Sequence, residues 1–158
     1  MNKVIAPAPV RRSVTVEASV ERAFEVFTAQ FGRWWPRSHT IGRTPMQTAR
    51  IEPKAGGRWY EIGEDGSECQ WGDVLAWEPP SRILLAWRIG PDWRFDPRLL
   101  TEVEVRFVRV AAERTTVELE HRLLENMGDG AAAAHAAYDS EGGWSGILGG
   151  FVEAVRQA

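Results

Sequence analysis

The last sixteen residues, Gly143 to Ala158, constrain the fold more than any other stretch of the chain. Trp144, Ile147, Leu148, Phe151, Val152 and Val155 fall at i, i+3, i+4, i+7, i+8 and i+11. That spacing is one continuous apolar stripe on an α-helix. The middle of the chain reads almost wholly as short strands, so a sheet must cover the stripe. A long terminal helix across a curved antiparallel sheet encloses space, and function is expected in that space.

The strands are legible by alternation. Val10 to Ala18 is the first, and Ser19 then stands where a helix N-cap belongs, with Glu21 suited to the positive end of the helix dipole. Val20, Phe24, Phe27 and Phe31 form an amphipathic helix ending near Gly32. Trp34, Trp35 and Pro36 follow, and the proline keeps Trp35 out of helical geometry. From Met46 the reading is strands at 47–52, 58–62, 68–77, 82–89, 101–110 and 115–124. Their breaks are turn residues such as Ala55-Gly56-Gly57, Glu64-Asp65-Gly66 and Pro79-Pro80. Within 68–77, Cys69, Trp71, Leu75 and Trp77 take one side, and Asp73 would share it. In the last two strands Val103, Val105 and Phe107, then Val117, Leu119 and His121, read as inward. Ala131 to Ala137 could open a further helix before Gly142-Gly143.

Composition narrows the function classes. A net charge of −3 with 26% charged residues leaves no nucleic-acid footprint and no polybasic anchor. Cys69 is the single cysteine, which precludes an internal disulfide and suits a reducing cytoplasm. Met1 to Val10 is too short and too broken by prolines for a signal-peptide core, and no apolar run could span a bilayer. The expectation is one cytoplasmic domain over residues 1–158, with 1–9 a flexible segment and no membrane or nucleic-acid partner.

The order of elements, with VEASVERAFEVFT, PKAGGRWYEI, GDVLAWEPPSRILLAWRI, TEVEVRF, TTVELEHRLLE and GGWSGILGGFVEAV, resembles the START-like (SRPBCC) superfamily. Within it, the chain most resembles the family named for the C-terminal domain of the activator of the heat-shock-protein-90 ATPase. The resemblance covers Val10 to Val155. One departure is Val20, where that family often has proline after the cap. The resemblance implies an α+β helix-grip fold: a seven-stranded curved antiparallel sheet around the C-terminal helix, with one or two short helices after the first strand. It also implies a cavity between sheet and helix. Members include binders of apolar molecules, polyketide cyclases and aromatases, and co-chaperones, so the fold does not choose the function.

Candidate ligand-binding residues are Trp34, Trp35, Trp59, Trp71, Asp73, Trp87, Val103, Val105, Phe107, Leu119, His121, Trp144 and Leu148. Tryptophans serve either as core or as flat cavity walls with an N–H handle. Adjacent Trp34 and Trp35 suit a cavity mouth or a partner surface, since both cannot easily enter one core. Gly146, Gly149 and Gly150 disfavour helix by up to about 1 kcal/mol each. They imply either close backbone approach or room for a ligand. Asp73 points either into the pocket or to a neighbouring arginine. His121 is either a base on the cavity wall or a satisfied core imidazole. His39 lies in a loop and His135 in the alanine-rich stretch; none of the three makes a metal pattern. No metal, cofactor or assigned catalytic residue is expected.

Three roles follow. The first is non-enzymatic binding of an apolar or aromatic small molecule. The second is a co-chaperone-like protein acting on the heat-shock-protein-90 ATPase, although the activator itself has a separate N-terminal domain for which this chain has no room. The third is a cyclase or aromatase using His121, Asp73 and Glu61 as acids and bases. The expectation leans against an enzyme, and the oligomeric state, a homodimer included, is left open.

Overall fold

The computed structural model describes residues 7–157. Residues 1–6, part of the segment expected to be flexible, lie outside the described residues, as does Ala158. Seven strands form one antiparallel sheet: β1 (Val10–Val16), β2 (Met46–Ile51), β3 (Arg58–Gly63), β4 (Glu68–Glu78), β5 (Arg82–Trp87), β6 (Thr101–Ala111) and β7 (Arg114–Arg122). Their order in space is β1-β7-β6-β5-β4-β3-β2, so every neighbour but the β1–β7 pair is also a neighbour in sequence. Two helices, α1 (Val20–Thr28) and α2 (Phe31–Trp34), follow β1; α3 (Ala131–Asp139) and α4 (Gly146–Arg156) follow β7. The sheet curves around α4, the expected helix-grip arrangement.

Local chemistry places these elements. Ser19 caps α1 by accepting a hydrogen bond from the Arg22 amide at 3.1 Å. Ala23, Phe24, Val26 and Phe27 are buried along one face of α1. The helix expected to end near Gly32 stops at Thr28, the second short helix is α2, and Trp35 leaves helical geometry at φ −65°, ψ 130° ahead of Pro36. Ile147, Leu148, Phe151 and Val155 on α4 are buried beneath the sheet, as the stripe requires. The terminal helix is shorter than the stripe, because a kink at Gly143 (φ −87°, ψ −138°) separates Trp144 from it within one wide turn, Glu141–Ser145. A side chain on Gly143 would run into the Tyr138 carbonyl.

Two bulges in β4 bend the sheet. Trp59 pairs with Gly72 and Tyr60 with Gln70, which leaves Trp71 as the extra residue. Val74 pairs with Leu85 and Ala76 with Leu84, which leaves Leu75 as a second. Each extra residue shifts the inside–outside alternation by one and increases local twist. Trp71 and Val74 are therefore buried, while Leu75, expected inside, is 37% exposed. Asp73 is carried to the outer face, where it accepts from Arg88 Nε at 2.6 Å. Of the two placements expected for Asp73, the pairing with a neighbouring arginine is the one found, and the bulge takes it off the inner side that it would have shared with Trp71 in the pocket.

The convex face of β5–β7 is ionic. Glu104 accepts from Arg82 at 2.6 Å, Arg122 at 2.9 Å and Arg106 at 3.0 Å. Burial disfavours its charged form, but the Arg82 and Arg122 hydrogen bonds and the Arg106 charge overcome that and hold its pKa at about 2. No helix among the described residues is long and apolar enough to cross a membrane.

Candidate active-site cavity

A cavity of about 400 Å³ lies between the concave sheet and the helical layer. That volume is in the range of small-molecule sites, about 300–1,000 Å³. Its walls are Trp35, Trp71, Trp87, Trp144 and Tyr138, closed further by Ile41, Ile89 and Ile147. Ser38, His39, Thr40, Trp93, Ser140 and Gly142 form the rim, with Trp93 49% exposed. The aromatic rings meet mostly edge to face: Trp35 and Trp144 lie 5.9 Å apart, Trp87 and Trp144 5.9 Å, and Trp87 and Tyr138 5.6 Å. The two halves of the cavity come from distant parts of the chain, and the Gly143 kink is what swings Trp144 toward β5 and β7.

A buried hydrogen-bond chain fixes these walls. Trp144 Nε1–H donates to His121 Nδ1 at 3.1 Å. An indole nitrogen can only donate, so Nδ1 accepts and the hydrogen of the imidazole sits on Nε2. His121 Nε2–H then donates to Thr101 Oγ1 at 2.9 Å, and Thr101 Oγ1–H donates to the Trp87 carbonyl at 2.7 Å. His121 is fully buried, and burial depresses its pKa to about 3. Both nitrogens are used and the ring stays neutral. His121 therefore stands behind the walls as their anchor, and it does not line the cavity. Trp87 Nε1–H in turn donates to Tyr138 Oη at 2.9 Å.

A second anchor holds the rim. Glu61 is fully buried on β3 and accepts from Trp71 Nε1 at 2.9 Å, from the Ile41 amide at 2.8 Å and from the Thr40 hydroxyl. One carboxylate thereby ties a wall tryptophan to the loop that edges the opening. At the rim, Trp35 Nε1–H donates to the His39 carbonyl at 3.0 Å, and His39 Nε2–H donates to the Gly142 carbonyl at 2.6 Å. That leaves His39 Nδ1 to accept from Ser38 Oγ at 3.1 Å.

Of the residues expected from sequence, the structure brings Trp35, Trp71, Trp87 and Trp144 to the cavity. Trp34 is buried elsewhere, against Phe27 and Phe151 at 4.9 and 5.5 Å, with its Nε1–H donating to the Val26 carbonyl. Both indoles nonetheless enter one core, 6.1 Å apart and each 5.0 Å from Phe31, which corrects the expectation that they could not easily do so. Trp59 packs 5.3 Å from Trp87 and 5.6 Å from Trp71, and its Nε1 is the buried side-chain polar atom with no hydrogen-bond partner of either kind among the described residues. Val103, Val105, Phe107, Leu119 and Leu148 are buried in the core outside the cavity lining. Gly149 faces outward, and a Cβ there would meet nothing within 4 Å, so it leaves no room for a ligand. Gly150 is the close approach: a Cβ there would sit 2.9 Å from the Trp34 carbonyl. Ser38, His39 and Tyr138 are not among the candidates that sequence supplies. For Tyr138 a signal exists, since Ala131, Ala134 and Tyr138 are buried at i, i+3 and i+7 of α3. Among the described residues no cluster of histidine, cysteine and carboxylate side chains could hold a metal ion.

Comparison with known proteins supplies the family. The model for the family described as "Activator of Hsp90 ATPase homolog 1-like protein" matches residues 17–156. The solved structure of Txn09, an anthrahydroquino-Gama-pyrone synthase complexed with SUM, is 41% identical, with 94% of this chain and 97% of that chain covered and a TM-score of 0.66. CalC, a self-sacrificing resistance protein from Micromonospora echinospora, is 32% identical, with 94% of each chain covered and a TM-score of 0.71. The Aha1 dimer from Colwellia psychrerythraea, 14% identical over 94% of this chain and 96% of that one at a TM-score of 0.61, shares the fold. No curated protein matches the chain. The identity to a synthase overturns the expectation that leaned against an enzyme.

Proposed function

The chain belongs to the Activator of Hsp90 ATPase homolog 1-like family, and on that footing we propose that its cavity takes a planar aromatic, polyketide-type molecule and acts on it enzymatically by closing an oxygen-containing ring. The observation that carries this reading is the 41% identity to a pyrone synthase over nearly the full length of both chains. The flat indole walls support it, because they suit a fused-ring substrate.

Pyrone formation has simple requirements. An enol or phenol oxygen bonds to a carbonyl carbon and loses its proton while the carbonyl oxygen gains one, giving a hemiketal. That new hydroxyl then takes a second proton and departs as water as the adjacent carbon gives up a proton to form the ring double bond. Rigid walls that hold the substrate folded supply most of the acceleration such a step needs. His39 is assigned the proton transfer, through the Ser38 hydroxyl that donates to its Nδ1. Ser38 receives the substrate proton as it passes its own to the imidazole. His121 and Asp73, the acid–base candidates from sequence, do not line the cavity, and Glu61 works as an anchor of the rim.

The test is turnover of an anthrahydroquinone bearing a 1,3-diketone side chain, followed by mass spectrometry as loss of one water. His39→Ala is expected to lower kcat by about 100-fold or more with little change in KM. No product from the wild-type protein sinks the enzymatic reading, and stimulation of the heat-shock-protein-90 ATPase would place the chain with the co-chaperones instead. The 32% identity to CalC favours a second reading, in which the molecule transformed is toxic and the chemistry confers resistance. Greater sensitivity of cells lacking the gene to aromatic polyketides checks it.

A further inference from the structure

We propose that the Tyr138 hydroxyl is the cavity's hydrogen-bond donor to a ring carbonyl of the ligand, and that Trp87 aims it. This rests on the reading of the cavity as an aromatic-ligand site and goes on to name the group by which the ligand is recognised. Tyr138 is 6% exposed and lines the cavity. Its oxygen already accepts from Trp87 Nε1–H at 2.9 Å. A phenol has one hydrogen to give, and no acceptor for it lies within hydrogen-bond reach among the described residues. A buried donor without an acceptor is unfavourable unless something arrives to take it.

The donor is held in place from behind. Trp87 is fixed through its indole to Tyr138 and through its carbonyl to Thr101, which His121 holds in turn. The Tyr138 ring packs 4.7 Å from His121 and 5.9 Å from Trp93. Burial also keeps the phenol protonated, raising its pKa above the ordinary value against the opposing pull of the Trp87 hydrogen bond. A neutral, oriented O–H in the wall of an aromatic cavity is the group that stabilises negative charge growing on a carbonyl oxygen. The ligand class it selects is a fused aromatic with a carbonyl on its edge, such as a quinone or an aryl ketone. A hydrocarbon of the same outline fills the walls and leaves the donor unmet.

The experiment compares anthraquinone-2-sulfonate with anthracene-2-sulfonate by quenching of tryptophan fluorescence, in wild type and Tyr138→Phe. Wild type is expected to bind the quinone about five- to tenfold more tightly than the hydrocarbon, the worth of one neutral hydrogen bond. In Tyr138→Phe the ratio falls to near one, mainly through the quinone. The carbonyl stretch of the bound quinone is expected at lower frequency in wild type than in the variant. An unchanged ratio in the variant, or no difference in the stretch, overturns the assignment of the donor while leaving the cavity intact. Failure of both tricycles to bind wild type overturns the cavity reading itself, and the donor with it.

Discussion

The two ends of the concave groove are built from different aromatics. At the end where β5 begins, Phe24, Phe27, Phe107 and Phe151 meet edge to face at 5.1 to 5.6 Å. These rings carry no polar atom, and dispersion and burial alone order them. At the end where β5 finishes, the rings are Trp35, Trp71, Trp87, Trp144 and Tyr138, and here the groove stays hollow. Phenylalanines close on one another until the space is full. Tryptophans tied by their N–H groups to His121, Glu61, Tyr138 and a backbone carbonyl are held apart. The cavity is thus walled by rings that have a directional partner behind them, whereas the phenylalanines of the other end answer only to packing.

The strongest way to break this contrast is at the filled end. Phe151 is fully buried on α4, touching Phe27 and Trp34. Phe151→Ala is expected to lose about 3–5 kcal/mol of unfolding free energy in urea. Quenching by an aromatic ligand should be nearly unchanged in the fraction that remains folded. Equal damage to stability and to binding would show that the two ends do not act separately.

The hollow end has a different weakness, acid. The folded state holds His121 at a pKa of about 3 by burying it, whereas the unfolded chain titrates near 6.5. Above about pH 6.5 both states carry a neutral ring and the anchor's contribution is fully present. As pH falls through 6.5 the unfolded state takes a proton that the folded state refuses, so stability drops by about 1.4 kcal/mol per unit until near pH 3. At pH 5 the loss is about 2 kcal/mol relative to pH 7. His121→Gln should begin less stable at neutral pH and lose less on going to pH 5. A slope as steep in the variant as in wild type would put the acid sensitivity elsewhere.

This contrast also marks where sequence leads and where it stops. The strands, the α1 cap and the buried stripe of α4 follow from periodicity and capping chemistry, and those are local properties of neighbouring residues. The inward side of β7 is legible too, so alternation puts His121 correctly on the inner face. Its role is not legible, because that depends on Trp144 and Thr101, which lie 23 and 20 residues away in the chain. Asp73 is misplaced by a bulge, a one-residue shift that no alternation announces. His39 stands in a loop without a period, and one of the contacts that orient its ring is the Gly142 carbonyl, 103 residues on. The site is partly visible as an abundance of tryptophan, and its chemistry is hidden in contacts that folding creates.

The smallest effect discriminates the two uses of glycine on α4. Gly149 faces outward with open space around it, while Gly150 lets the Trp34 carbonyl approach to 2.9 Å of where a Cβ would sit. Gly149→Ala should stabilise the protein by about 0.5–1 kcal/mol, because alanine restricts the unfolded chain and favours helix at a site with nothing to strike. Gly150→Ala should do the reverse, since α4 must back away from α2 to admit the methyl group. Thermal unfolding of the two variants reads the signs directly. Ligand quenching should be unchanged in Gly149→Ala, as that position lies on the side of the helix away from the tryptophan walls. A drop in ligand affinity there would mean that α4 turns its glycine face toward the hollow, and the separation of a packed end from an open one would have to be redrawn.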